Sequence, residues 1–298
     1  MKNTRFISIQ AARAFSSVAL LLLVAPAFAA STWSDMGNTC STSGGTPFSS
    51  ADTGGNNIQL GNSASCGASS SVTLNADAFS TAIGPTTAGT VFATAEVHKW
   101  GSAGLGIVNR YEDPNSTGPH AVDNVYGADA IRLSFTSALN LTGLSIGWNG
   151  TDNVTGVYAD SDLSVLAWTG PGTPGDIAGK TLGATAGTST LLTAGWTLVG
   201  NYADVGLLPS NTISISSGIY SSYWLVSAYS TAFGTVNASG VGSLGVTGTL
   251  DAFKLLSVAG GTQPPLDTGK APEPGSLALF GLAFTGMMAI RRRKLQPG

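Results

Sequence analysis

The chain has 298 residues, 43% of them hydrophobic and only 10% charged, with 40 glycines and a formal net charge of −3 at pH 7. Soluble domains carry about 25% charged residues and about 7% glycine, so this composition argues against helical bundles and coiled coils, which need Ala, Glu, Lys and Leu in bulk. Low charge with plentiful aliphatic and aromatic residues also argues against disorder, and the acidic balance leaves no basic footprint for nucleic acid.

Residues 1–29 read as a secretory signal. Lys2, Arg5 and Arg13 make a basic stretch, Val18 to Val24 a short apolar core, and Ala27-Phe28-Ala29, followed by Ala30, a small-residue cleavage site. The apolar run falls short of the about 20 residues that a spanning helix needs.

Cys40 and Cys66 are the only cysteines. A lone pair in an exported protein is read as one disulfide. Metal ligation and thiol catalysis lack partners, the nearest histidine being His98. Residues 31–90 are rich in Ser, Thr, Gly and Asn, with turn signals at Ser43–Pro47 and Gly54–Asn57, which predicts short strands and long loops.

From residue 91 onward a period of two strengthens. Ile131, Leu133 and Phe135 fall on one face of 129–135; runs at 144–148, 163–168, 195–199, 212–216 and 223–229 follow. The last strand is expected over 252–258, with Phe253, Leu255 and Ser257 facing one way and Lys254 and Leu256 the other. No segment has the pattern and caps of an amphipathic helix. Many short strands between Gly and Pro turns predict an all-β body over 30–259, folded as a single large β-sandwich of jelly-roll type.

The densest polar cluster lies before the 129–135 strand. Glu112, Asp113, Asp123, Asn124 and Asp129 can supply oxygen ligands of the kind calcium takes from loops between strands. The spacing is not that of an EF-hand, and Asx-turns on a solvated loop explain the same residues; both readings stand. His120 with Asp123 invites a general base, but no nucleophile elbow accompanies it, and a structural role suits His98 beside Lys99 and Trp100. Two histidines without H-E-x-x-H argue against a zinc enzyme. Gly240-Val-Gly-Ser-Leu-Gly245 matches G-x-G-x-x-G in letters, yet the following Val246-Thr-Gly-Thr favours turn and strand over the helix that motif requires. Asp160-Ser161-Asp162 reads first as a surface turn. Trp100, Trp148, Trp168, Trp196 and Trp224 could stack sugars, although strand aromatics are usually core.

Residues 260–271, with Pro264-Pro265, form a semi-rigid linker. Then come Pro272-Glu273-Pro274, an uncharged run from Ser276 to Ile290, and Arg291-Arg292-Arg293-Lys294. A helix over that run would be roughly 22 Å long, short for a permanent span and adequate for a transient one in a thinned bilayer. The basic cluster stays cytoplasmic under the positive-inside rule, so the body lies outside, in agreement with the N-terminal signal. The prolines hold the tag extended, as a protease cleft requires. With both ends removed, six basic residues face fifteen acidic ones, a net charge of −9.

Pro272-Glu273-Pro274, the apolar helix and the arginine cluster, together residues 272–298, resemble the PEP-CTERM sorting signal of Gram-negative bacteria. The resemblance implies export through the inner membrane and removal of the tail by an exosortase, a membrane-embedded cysteine transpeptidase. In the body, Gly104-Leu-Gly-Ile-Val-Asn-Arg110, His120-Ala-Val-Asp-Asn124, Asp162–Gly170 and Ser222–Tyr229 resemble the exosortase-dependent surface protein family. That likeness implies a surface or extracellular location and no reaction. The expectation is a non-enzymatic surface or matrix protein associated with exopolysaccharide or biofilm, touching the membrane transiently through its tail. The alternatives are a calcium-dependent carbohydrate-binding module, and a secreted hydrolase using His120.

Overall fold

The computed structural model describes residues 30–44, 57–59, 61–69, 71–84, 87–112, 120–149, 161–207, 211–235, 250–263 and 282–283. The expected signal and most of the tail lie outside them, including Ala27, Ala29, Pro272, Glu273, Pro274, Arg291, Arg292, Arg293 and Lys294. The same holds for Asp113, Asp160 and the 240–245 glycines. Among the described residues no helix is long and apolar enough to cross a membrane.

In chain order the elements are β1 (Ala30–Trp33), α1 (Met36–Thr39), β2 (Ser41–Gly44), β3 (Asn57–Gln59), β4 (Ser63–Ser69), β5 (Val72–Gly84), β6 (Thr87–Thr94), β7 (Glu96–Trp100) and β8 (Leu105–Val108). They continue with β9 (Val122–Asp123), β10 (Asp129–Asn149), β11 (Leu163–Trp168), α2 (Thr190–Ala194), β12 (Trp196–Tyr202), β13 (Thr212–Ser214), β14 (Ser221–Ala228) and β15 (Ala252–Thr262). The protein is mostly β, as its composition predicts. All the paired strands are antiparallel and belong to one hydrogen-bonded sheet that curls on itself.

The curl is made by β10. Its first half lies between β14 and β5, with Ile131 opposite Val226 and Ala78. Its second half lies between β13 and β15, with Leu144 opposite Ile213 and Val258. Both halves point side chains into one core. Ile131, Leu133, Phe135, Leu139 and Leu141 enter it at odd positions, Leu144 and Ile146 at even ones. A period of two cannot do this without an extra residue. The register slips between Leu141 and Gly143, and that bulge turns the strand over. On β15 the slip opposite Ser145 and Ile146 does the same, so Val258, rather than the expected Ser257, joins Phe253 and Leu255 in the core. Ser257 instead meets the Ser145 hydroxyl. The strand also runs on to Thr262, into the stretch read as linker.

The first half of the sheet is buried on both faces. Phe79, Ala130, Leu166 and Leu225 point away from the main core and are covered by Ile177, Leu191, Trp196 and Phe233. Leu191 lies in α2, a single turn started by Ser189, whose hydroxyl accepts from the Leu191 amide at 3.3 Å, and closed by Gly195 at φ 121°. Burial on both faces explains β5, a strand of 13 residues where short ones were expected. Its Asn75-Ala-Asp-Ala78 run has poor strand propensity, but pairing on both sides overrides that. Asp77 sits opposite Arg132, which donates to its Oδ2 from Nε at 3.0 Å and Nη2 at 2.7 Å and lies over Phe79.

Cys40 and Cys66 form the expected disulfide, both buried in the main core, joining the segment after α1 to β4 across 26 positions. For a loop of that length the chain-entropy model gives about 3–4 kcal/mol of stabilisation. Replacing both by Ala should lower the unfolding free energy by about that amount in urea titration, and reduction of the wild-type protein should reproduce most of the loss.

Candidate functional site

The described candidates, Glu112, Asp123, Asn124 and Asp129, fall on the path that leads from β8 through β9 to the start of β10, and the first three are consumed by hydrogen bonds to other protein groups. The Glu112 Oε2 accepts from the Asn109 amide at 3.1 Å, and Asn109 Oδ1 accepts from the Tyr111 amide at 2.9 Å. Asp123 Oδ1 accepts from the Val125 amide at 3.1 Å, an Asx-turn. Asn124 is turned toward Asp251: its Nδ2 donates to Asp251 Oδ2 at 2.6 Å and its Oδ1 accepts from the Asp251 amide at 2.9 Å. Asp251 Oδ1 in turn accepts from the Asp162 amide, and Asp162 Oδ1 from the Asp204 amide. This chain of side-chain-to-backbone bonds ties three connections together at one end of the sheet. Asp162, expected on a surface turn, is fully buried.

Asp129 is the exception. It is 1% exposed, and neither carboxyl oxygen has a well-formed hydrogen bond. Burial pushes its pKa well above the usual carboxylate range, and the charges of Asp123 and Glu112 push the same way. The Ser80 hydroxyl and the Asp123 amide lie close enough only to oppose the shift. Among the described residues, no three His, Cys, Asp or Glu side chains converge as a metal site.

Next to these turns the structure gathers groups that are far apart in the sequence. His98 on β7 and His120 before β9 meet edge to face at 5.0 Å, with the Trp100 ring 6.1 Å from His120. His120 Nδ1 is 4.0 Å from Glu112 Oε2. The backbone approach depends on Gly106, where a Cβ would lie 1.8 Å from the His120 carbonyl oxygen. His120 itself takes a left-handed conformation, φ 39°, a strained state for a residue with a side chain. Lys254 stands between two indoles, its Nζ 4.0 Å from the Trp148 centroid and 4.7 Å from that of Trp100. The β10–β15 register sets Trp148 opposite Lys254.

This layer is nearly dry, and desolvation drives its groups toward neutrality. Burial lowers the Lys254 pKa to about 7, against the pull of Asp123. Burial, helped by His120 and Lys254, lowers that of His98 to about 3. Burial raises Glu96 to about 7. Sequence reasoning placed Lys254 only on the far face of the last strand and did not connect it with His98 or Trp148. A lysine inside an apolar run was the available signal.

A second feature opens where β10 bends. A groove of about 600 Å³ is bordered by Phe135, Trp168, Tyr220 and Tyr223, with Asn75 and Ser134 among its polar lining. The irregularity between Ser134 and Leu139 on β10 forms one wall. Of the five tryptophans weighed for sugar stacking, Trp224 is in the main core, Trp196 in the second, Trp100 and Trp148 hold Lys254, and only Trp168 lines this groove.

Fold and disulfide together define an all-β domain closed by one disulfide. Residues 270–294 match the PEP-CTERM protein-sorting motif. The chain is thereby marked as an exosortase-sorted protein, exported to the cell envelope. No curated protein and no solved structure matches the chain.

The Lys254 shift fixes a pH dependence. Its folded pKa lies below the unfolded 10.5, so the folded state holds fewer protons between about 7 and 10.5 and stability rises with pH across that window. Lys254→Met should raise the melting temperature at pH 7 and remove the wild-type rise between about pH 7.5 and 9.5. Glu96 has the opposite sign: its contribution is present below 4.5 and is lost as pH rises through about 7. Glu96→Gln should therefore gain most over wild type at pH 7 and above, with the gain vanishing below pH 4.5 in thermal melts.

Proposed function

We propose that this chain is a non-enzymatic protein of the cell surface or extracellular matrix, of the exosortase-dependent surface type. In this reading a Gram-negative exosortase removes its tail, and it then resides among exopolysaccharide. The sorting motif at residues 270–294 carries the reading.

The geometry of the body supports it. Ala30, the residue that cleavage after Ala29 leaves first, pairs with Gly261, shortly before the motif begins at Lys270. Both address segments thus leave the body at the same end of adjacent strands, which suits a domain delivered to a membrane by one and held there by the other. The disulfide suits an oxidising compartment. The non-enzymatic part is supported by the separation of chemistry from access. His98, His120, Asp129 and Lys254 are each at most 3% exposed, and none of them lines the groove, whose lining among the described residues carries no histidine, cysteine, carboxylate or amine.

Intact mass of the protein recovered from wild-type and exosortase-deleted cells tests the sorting claim. Wild-type material should lack residues 1–29 and the Arg291–Lys294 cluster and be lighter by two hydrogens for the disulfide. Deleted cells should retain the cluster, as should wild-type cells expressing Pro272→Ala/Glu273→Ala/Pro274→Ala. Mature wild-type protein that still ends in its arginines, with the exosortase active, would refute the reading.

A further inference from the structure

We infer that the groove at the bend of β10 binds a strand of neutral polysaccharide. Its volume of about 600 Å³ falls within the roughly 300–1,000 Å³ of ligand clefts. Three things in its construction select the ligand class.

The first is ring presentation. Trp168, Tyr220 and Tyr223 are each half-buried and line the groove. A sugar ring offers one face of C–H groups and a rim of hydroxyls; the electron-rich face of an aromatic ring takes the former.

The second is that the rings are held before any ligand arrives. The Trp168 Nε1 donates to the Gly172 carbonyl at 2.9 Å, and its ring meets Trp196 edge to face at 5.8 Å. A Cβ on Gly195 would fall 2.9 Å from that ring. The buried Ser221 hydroxyl shares its proton between the carbonyls of Trp168 and Tyr223, at 2.8 and 2.9 Å, and accepts from the Tyr223 amide at 3.1 Å. One side chain thereby fixes both ring-bearing strands. Such preorganisation reduces the entropy lost on binding.

The third is charge. Among the described residues every one that lines the groove is neutral, and those other than the aromatics, Ala138 and the glycines carry an amide or hydroxyl. Such groups both donate and accept, as sugar hydroxyls do. Nucleic acid needs cations that this groove does not supply. A body of net charge −9 repels anionic glycans.

The inference gives the proposed exopolysaccharide association a site and rests on that reading for its setting alone. The test uses the full-length chain, purified in mild detergent, in affinity electrophoresis through gels containing konjac glucomannan, laminarin or dextran, with alginate as the anionic comparison. At least one neutral gel should retard the protein and alginate should not. Trp168→Ala and Tyr220→Ala should each weaken retardation at least about fivefold, Trp168→Phe should retain most of it, and Lys254→Met, outside the groove, should leave it unchanged. Tyr220 belongs to neither buried cluster, so its variant serves if Trp168→Ala does not fold. Absence of retardation in all three neutral gels, equal retardation of the variants, preference for alginate, or displacement by a peptide of residues 262–271 would each overturn the inference. None of these outcomes bears on tail removal, which is read by mass.

Discussion

The fold depends on one strand belonging to both halves of the sheet. β10 pairs with β5 and β14 over its first half and with β13 and β15 over its second. A straight strand of 21 residues cannot serve two facing halves, because its pleat would carry half its apolar residues outward after any turn. The bulges resolve this. Each inserted residue costs a ladder position and reverses which face looks inward, so Leu141 and Leu144 share a core despite their odd spacing. The glycines at 143 and 147 lie at these irregularities, and at Gly147 a Cβ would fall 2.5 Å from the Ala103 carbonyl oxygen.

The same bends determine where polar chemistry can sit. Past the last bulge, Trp148 comes opposite Lys254, and a lysine that simple alternation would point to solvent is 3% exposed. Its Nζ takes the faces of two indoles, which offset only part of the lost hydration. The Arg132–Asp77 pair is a different case. It lies on the outer face, keeps 21% and 10% of its side chains in water, and is fixed by two hydrogen bonds on one carboxyl oxygen. The first arrangement favours the neutral amine; the second suits a permanent charge, because guanidinium does not deprotonate in proteins.

The irregularity between Ser134 and Leu139 has a further consequence. Where β10 departs from β14, the strands part and the end of β11 is uncovered, so Trp168 shows part of its ring at the groove while packing against the second core. The groove is therefore a product of sheet curvature rather than of a dedicated loop. Ala138, on its wall, precedes Leu139, which pairs with Thr262 near the exit of the tail. The groove and the end of β15 thus lie close together in the sheet.

Much was readable without coordinates wherever the determining force is local. Alternating Ile131, Leu133 and Phe135, the Gly and Pro turns and the tail motif are each specified by neighbouring residues, and the disulfide by the chain's having only two cysteines. Asp123 was legible as a turn former, since Asx-turns are made within a few residues. What only the tertiary structure decided is parity and partnership: the length of β5, the bulges that exchange Ser257 for Val258, the meeting of His98, His120 and Lys254, and the sorting of the tryptophans between core and groove. Those outcomes depend on desolvation and on strand register between residues well separated along the chain, by more than a hundred positions for β10 and β15, and no short run of the sequence contains both sides of such a contact.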